Sequence, residues 1–140
     1  MTQPLTVSDI QRMLDSSPFI AFLGLTVEAV DTAAGTVSMR MPMRPELERG
    51  GPMKGQFHGG PIASFIDTVG DFAVAAAVGG GVPTVNFRVD YLRPAGGSHL
   101  MGTATARKIG RSLATVDIDV LDEQGRLVAI GRGTYTTQTG

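Results

Sequence analysis

The residues best suited to chemistry lie close together in the sequence. His58, Gly59 and Gly60 directly precede the longest helical pattern, and Asp67 and Asp71 lie inside that pattern. Backbone N–H groups at the start of a helix lack helical partners, and the helix dipole adds positive potential there, so these groups can stabilise a developing oxyanion. Gly59 and Gly60 are therefore the candidate donors. We expect His58 to hold the loop through a side-chain hydrogen bond, with a role as general base as the alternative.

Asp67 interrupts an otherwise apolar helix, between Phe65, Ile66 and Val69. Partial desolvation would raise the pKa of its carboxyl group and suit it to act as a base or nucleophile, whereas the alternative is a solvated helix residue beside a plain glycine turn. Asp67 follows Gly59 by eight residues, which is about 12 Å along one helix. If both act on one substrate atom, they come from two chains, as in a two-fold dimer that lays two such helices antiparallel.

The elements that position these residues follow from the pattern of apolar side chains. Residues 8–23 predict a short N-terminal helix and a second turn, and residues 25–41 predict a hairpin. Residues 42–58 contain three prolines and three glycines and predict a long functional loop. The long helix should run from Gly60 or Pro61 to about Val78. Four runs after it predict strands: Thr84–Leu92, Leu100–Ile109, Leu113–Leu121 and Leu127–Tyr135.

This order of elements predicts an α+β fold in which an antiparallel sheet wraps around one long central helix. Strands joined by tight turns pair antiparallel, and a single apolar helix needs a sheet to cover it. A chain of 140 residues fits one domain, residues 1–140, in which residues 1–23 form an N-terminal helical segment.

Composition excludes several classes of protein. With 12 Lys plus Arg against 13 Asp plus Glu, the near-neutral charge argues against nucleic acid as the main partner, because duplex-binding domains usually carry a basic face. The absence of cysteine rules out a thiol nucleophile, and two isolated histidines make no metal signature. The first ten residues do not resemble a signal peptide, and no stretch reaches about 20 apolar residues, so we expect a cytoplasmic protein without a membrane partner.

Three segments match one known family in order and spacing: His58-Gly-Gly-x6-Asp67, Val89-Asp-Tyr-Leu-Arg-Pro94, and Arg107-Lys-Ile-Gly-Arg111. They resemble the hotdog-fold acyl-CoA thioesterases of the PaaI-like, phenylacetate-degradation type, and the resemblance covers nearly all of the chain after Leu25. It implies a homodimer of hotdog protomers, usually doubled to a dimer of dimers. It also implies that Gly59 donates its amide to the thioester carbonyl, while Asp67 from the other protomer attacks or directs water.

The resemblance bears on four further positions. It assigns Thr84, at the start of its strand, to positioning the lytic water. Where relatives have Ser or Thr one turn after Asp67, this chain has Asp71, which either tunes Asp67 or faces solvent. Relatives often carry an Asn that contacts the carbonyl, but this chain has Pro52 there. Proline has no donor, so Gln56 is the candidate for that second contact.

Coenzyme A would enter as part of the substrate, and no separate cofactor or metal is expected. Its phosphates could pair with basic residues at sheet ends, although each of these could equally be a solvated strand residue: Arg88, Arg93, Lys108 and Arg111. The acyl group should meet apolar side chains: Met53, Phe57, Phe65 and Phe72.

The leading hypothesis is hydrolysis of an acyl-CoA thioester. One alternative is a hydratase or dehydratase of acyl thioesters on the same fold. The other is an acyl-CoA binding or sensing module without turnover, which the missing Asn favours. Release of free thiol from acyl-CoA separates hydrolysis from binding.

Overall fold

The computed structural model describes residues 3–140, and its elements follow the order expected from the sequence. The helices are α1 (Val7–Ser16), α2 (Pro18–Leu23) and α3 (Gly59–Val78). The strands are β1 (Thr26–Asp31), β2 (Thr36–Pro42), β3 (Thr84–Tyr91), β4 (His99–Ile109), β5 (Leu113–Asp122) and β6 (Leu127–Thr136). The predicted N-terminal segment contains α1 and α2, and its residues 1 and 2 lie outside the described residues.

All six strands form one antiparallel sheet in the order β1-β2-β4-β5-β6-β3. The sheet wraps around α3, which packs against β2, β4, β5 and β6. Strands β1 and β3 form its two edges. The predicted α+β hotdog arrangement, an antiparallel sheet around one long central helix, is confirmed.

The core lies between α3 and the concave face of the sheet. Alternation along β5 buries Val116, Ile118 and Val120, while α3 contributes Phe65 and Val69, both fully buried. By length and apolar composition alone α3 could cross a membrane, but 61% of its most apolar window is buried inside the protein. A helix that is apolar on several faces suits the centre of a wrapped sheet equally well.

The start of α3 differs slightly from the prediction. The helix begins at Gly59, one or two residues early, because His58 serves as its N-cap: the Gly60 N–H donates a hydrogen bond to His58 Nδ1 at 3.1 Å. It ends at Val78, and the C-cap residue Gly79 has a φ of 90°, in the left-handed region that favours glycine.

Tyr135 on β6 occupies a socket formed by two glycines. Its side chain is fully buried, and a Cβ atom at either Gly70 of α3 or Gly133 of β6 would collide with its ring or hydroxyl. The Tyr135 hydroxyl donates a hydrogen bond to the Asp67 carbonyl at 3.2 Å. The middle of α3 is thereby fixed against the sheet at the residue that carries the candidate carboxylate.

The edge strand β3 presents apolar side chains to solvent. It pairs with β6 on one side, and no strand of the described chain pairs with its other side. Val85 and Tyr91 are each 53% exposed, and Phe87 is also exposed. Open apolar edges of this kind readily pair with another strand.

Candidate active site

The first turn of α3 offers one free amide donor. Gly60 donates its N–H to the His58 imidazole, and Pro61 has none to give. Within residues 3–140, no oxygen or nitrogen accepts a hydrogen bond from the Gly59 N–H. The structure therefore uses His58 as the helix cap, as expected, and leaves Gly59 rather than Gly60 as the candidate oxyanion donor.

Tyr91 holds the Gly59 residue in place. Its hydroxyl donates a hydrogen bond to the Gly59 carbonyl at 2.7 Å, and a Cβ atom on Gly59 would lie 3.2 Å from the same hydroxyl. Gly59 and Gly60 line a cleft of about 620 Å³, which we call the glycine cleft. Its other lining residues include Arg49, Phe57, Tyr91, Leu92 and Arg93.

Asp67 lies two turns further along α3, where it is half-buried. The Thr84 hydroxyl donates a hydrogen bond to Asp67 Oδ1 at 2.9 Å. Burial raises the pKa of the Asp67 carboxyl group, and the hydroxyls of Thr84 and Tyr135 oppose this rise. The predicted partial desolvation of Asp67 is confirmed, and Thr84 fixes the orientation of its carboxylate.

Asp71 follows Asp67 by one helical turn and is buried more deeply. Burial, together with the charge of Asp67, raises the pKa of Asp71 to about 7, and the backbone N–H of Val82 opposes this rise. Of the two alternatives left by the sequence, a carboxyl group coupled to Asp67 and a solvated one, the structure favours the first.

Both carboxyl groups line a second cleft, of about 740 Å³, which we call the carboxyl cleft. Its walls come from α1, α2, α3 and the segment before β3. Most of the other lining is apolar: Met13, Phe19, Ile20, Phe72, Val82 and Phe87. A mostly apolar cleft with a few polar groups is typical of a small-molecule site.

Gly59 and Asp67 line different clefts of the same protomer. Gly59 is absent from the carboxyl cleft, and Asp67 is absent from the glycine cleft. Their separation along α3 is about 12 Å at 1.5 Å per residue. One protomer therefore carries two half-sites, a hydrogen-bond donor in one and a carboxylate in the other.

Gln56, the candidate for the second contact, lies outside both clefts, as does Pro52, which stands where relatives carry the Asn. The Gln56 side-chain oxygen accepts a hydrogen bond from Arg49 at 3.1 Å, and the Gln56 backbone pairs with Gly96. Pro52 is exposed in a 3₁₀ turn, Gly51–Met53. Neither residue lines the glycine cleft.

The four predicted basic contacts are dispersed. Arg93 lines the glycine cleft. Arg49 lines the same cleft and was not predicted from the sequence. Arg88 pairs with Asp90 at 3.2 Å on the outer face of the sheet, and Lys108 and Arg111 are exposed near the turn between β4 and β5. Among these four, only Arg93 lies with a candidate catalytic group.

The residues predicted to meet the acyl group also separate. Phe72 lines the carboxyl cleft and Phe57 the glycine cleft. Phe65 is fully buried in the core, close to Gly102, and Met53 is exposed and lines neither cleft. The helical spacing put Phe65 on the apolar side of α3, but that side packs against the sheet and does not line a cleft.

Known proteins resemble this chain in sequence and in fold. The model of the thioesterase superfamily matches residues 54–129. A proposed esterase of Halobacterium salinarum is 35% identical over 136 residues, covering 90% of this chain and 88% of that protein. The structure of a proposed thioesterase of Ralstonia eutropha, described as phenylacetic acid degradation-related, is 30% identical, with a TM-score of 0.77 and coverage of 90% and 97%.

The fold is also that of the E. coli PaaI protein from the phenylacetic acid degradation operon. The two chains superpose with a TM-score of 0.82 at 24% identity, covering 95% of this chain and 93% of that one. Together with the esterase-type relatives, these matches identify a thioesterase-type hydrolase. The chain belongs to the thioesterase superfamily and is a hotdog-fold protein of the PaaI-like type.

Proposed function

We propose that this protein hydrolyses acyl-CoA thioesters in a site shared between two protomers. The observation that carries the proposal is the division of the machinery, because Gly59 and Asp67 line separate clefts of one chain. A second copy that brings its carboxyl cleft to the glycine cleft of the first would unite the two groups, twice per dimer.

The edge of β3 supplies the surface for that pairing. Its free side carries the exposed apolar residues Val85, Phe87 and Tyr91. Antiparallel pairing of two β3 strands would continue the sheet across the dimer and cover these side chains. Tyr91 contacts Gly59, and Thr84 at the other end of β3 contacts Asp67, so antiparallel pairing brings unlike half-sites together. A dimer of dimers is the proposed larger assembly, and the cytoplasm the proposed location.

The chemistry follows from the two half-sites. The Gly59 N–H of one protomer would polarise the thioester carbonyl and stabilise the oxyanion that forms on it. Asp67 of the other protomer would attack the carbonyl carbon or remove a proton from an attacking water, while Thr84 orients the carboxylate or that water. Collapse of the tetrahedral intermediate breaks the C–S bond in either route. With water as the nucleophile, the proton that Asp67 removes passes to the thiolate, which leaves as coenzyme A, and the acyl group leaves as the acid. With Asp67 as the nucleophile, the thiolate leaves first, and water then hydrolyses the acyl-aspartyl anhydride, which supplies the proton and regenerates Asp67.

The two clefts differ in charge in a way that suits the two ends of the substrate. Arg49 and Arg93 line the glycine cleft and could pair with the phosphates of coenzyme A. The carboxyl cleft is mostly apolar and could take the acyl group beyond Asp67.

Free-thiol release from a panel of short, long and aromatic acyl-CoA substrates tests this function. We expect turnover by the wild type and a loss of at least about 10²-fold in Asp67→Asn, the lower scale for loss of acid–base help. Saturable binding of acyl-CoA without thiol release would identify a binding module instead. An unchanged rate in Asp67→Asn would remove this carboxylate from the reaction.

A further inference from the structure

Asp67 and Asp71 form an uncompensated pair of carboxyl groups. They lie one turn apart on α3 and line the same cleft. Among the described residues that line this cleft there is no Lys, Arg or His. Two negative charges in a partly desolvated space without a cation are strongly disfavoured, so such pairs hold one proton over a wide pH range.

The surroundings of the two carboxyl groups decide where that proton resides. Asp67 accepts a hydrogen bond from the Thr84 hydroxyl, and the Tyr135 hydroxyl also favours its ionised form. At Asp71 only the backbone N–H of Val82 opposes the rise in pKa, and no side chain within residues 3–140 donates a hydrogen bond to this carboxyl group. Asp71 is also the more deeply buried group, and its pKa is raised to about 7.

Within one protomer, no other charged side chain acts strongly on this pair; in the proposed dimer the glycine cleft brings Arg49 and Arg93, whose charges the proposed function assigns to the phosphates of coenzyme A. The titratable groups that face Asp71 are Asp67 on the same helix and Tyr135 on β6, whose own pKa is raised by burial and by both carboxylates. The remaining walls around the pair come from α1, the segment before β3 and the end of the described chain: Met13, Ser16, Val82, Pro83 and Gly140.

We propose that Asp71 is a positioning residue that holds the proton of this pair and so keeps the single negative charge of the cleft on Asp67. The proposal rests on the proposed function, in which Asp67 is the nucleophile or base. An oxyanion develops close to Asp67 during the reaction, and a second carboxylate one helical turn away repels it. Ionisation of Asp71 therefore slows the reaction, and the pair titrates with two macroscopic pKa values.

The pH profile of kcat/KM tests this role, because a purely structural residue would not change its shape. We expect a bell-shaped profile in the wild type that rises as Asp67 ionises and falls as Asp71 ionises near pH 7. Asp71→Asn has nearly the same shape and cannot ionise. The variant should keep the acid limb of the profile and lose the alkaline limb. We measure kcat/KM at pH 8.5 and at pH 6.5 and divide the first value by the second. This quotient should be at least about fivefold larger in Asp71→Asn than in the wild type.

The matched control is Asp119→Asn, which removes one exposed carboxylate of β5 far from this cleft. It should reproduce the wild-type profile. An alkaline limb that persists unchanged in Asp71→Asn would overturn the proposal. Loss of the alkaline limb in both Asp71→Asn and Asp119→Asn would also overturn it, because the limb would then depend on the overall charge of the protein.

A second measurement does not require turnover. In ¹³C NMR of labelled aspartate side chains, we expect one carboxyl resonance that titrates near pH 7 and is missing from Asp71→Asn but present in Asp119→Asn. If every aspartate titrates below about pH 5, near the ordinary value for this residue, the proposal fails. Absence of thiol release with this NMR signal present would instead reject the proposed function and keep the proton assignment.

Discussion

The Thr84 hydroxyl donates a 2.9 Å hydrogen bond to Asp67 Oδ1 and joins the first residue of β3 to the middle of α3. Val82, two residues earlier, lines the same cleft as Asp71, and its backbone N–H opposes the rise in the pKa of that carboxyl group. Two residues of extended chain span about 6.6 Å and the four residues of helix from Asp67 to Asp71 about 6 Å, so this segment matches the spacing of the two carboxyl groups. The segment treats the two carboxyl groups unequally, because Asp67 accepts a side-chain hydrogen bond from Thr84, whereas no side chain among the described residues donates one to Asp71.

Replacing Thr84 tests whether this hydrogen bond matters for the reaction. Thr84→Val keeps the shape and removes the donor, so the ionised form of Asp67 loses support and its pKa should rise further. We expect kcat/KM at pH 7 to fall about tenfold and the acid limb of its pH profile to move to higher pH. Thr84→Ser restores the hydroxyl and should recover most of the rate. Equal losses in the Val and Ser variants would indicate a packing role instead.

Mixing two inactive variants tests whether the site is shared between protomers. Asp67→Asn removes the carboxylate, and Gly59→Ala places a Cβ atom 3.2 Å from the Tyr91 hydroxyl and disturbs the amide donor. A heterodimer of the two variants contains one site with both residues intact and one with neither. After denaturation and refolding of an equal mixture, random pairing should restore about a quarter of wild-type activity.

Two results would contradict this arrangement. Activity that stays at the level of the separate variants, while mass spectrometry shows that heterodimers have formed, would place the complete site within one chain. A monomer by light scattering at micromolar concentration, with thiol release intact, would do the same. Val85→Lys, on the exposed edge of β3 and outside both clefts, provides an independent variant, which should be monomeric and inactive but folded.

Local sequence spacing predicted most of the fold and part of the site. The apolar residues of α3 recur at helical spacing and those of β5 alternate, so each element can be predicted from its own residues. The distance between Gly59 and Asp67 follows from helix geometry alone. The role of His58 as the helix N-cap could also be predicted, because a polar residue directly before the start of a helix is a local signal.

The rest of the site depends on contacts between distant parts of the chain. Tyr91 reaches Gly59 across 32 residues and Tyr135 reaches Asp67 across 68. No local pattern encodes such contacts. The burial of Asp71 likewise depends on walls from α1 and from residues 81–83, so its spacing from Asp67 could not distinguish a coupled carboxyl group from a solvated one. Gln56 failed to reach the glycine cleft because Arg49, seven residues away, binds its side-chain oxygen.

The socket of Tyr135 yields a prediction for stability. Gly133→Ala would place a methyl group against the ring and hydroxyl of Tyr135, which is fully buried and cannot move aside. We expect the free energy of unfolding to fall by about 1–3 kcal/mol, the usual cost of overpacking, in urea denaturation. Tyr135→Phe, which loses one hydrogen bond, should cost about 0.5–1.5 kcal/mol. The matched control is Gly81→Ala, where the nearest atom to an added Cβ atom is the end of the Met13 side chain, at 3.9 Å.

The raised pKa of Asp71 predicts how stability depends on pH. Its carboxyl group titrates near 3.8 when unfolded and at about 7 when folded, so between these values the unfolded chain releases a proton that the folded protein retains. Stability from this group is therefore complete below about pH 4, falls as the pH rises to about 7, and stays low above that. Asp71→Asn removes the titration. We expect the variant to gain on the order of 2 kcal/mol over the wild type between pH 4.5 and pH 8. Urea denaturation of both proteins at the two pH values measures this difference, with Asp119→Asn as the control for a change in net charge. The same difference at both pH values would mean that Asp71 is ionised in the folded protein throughout.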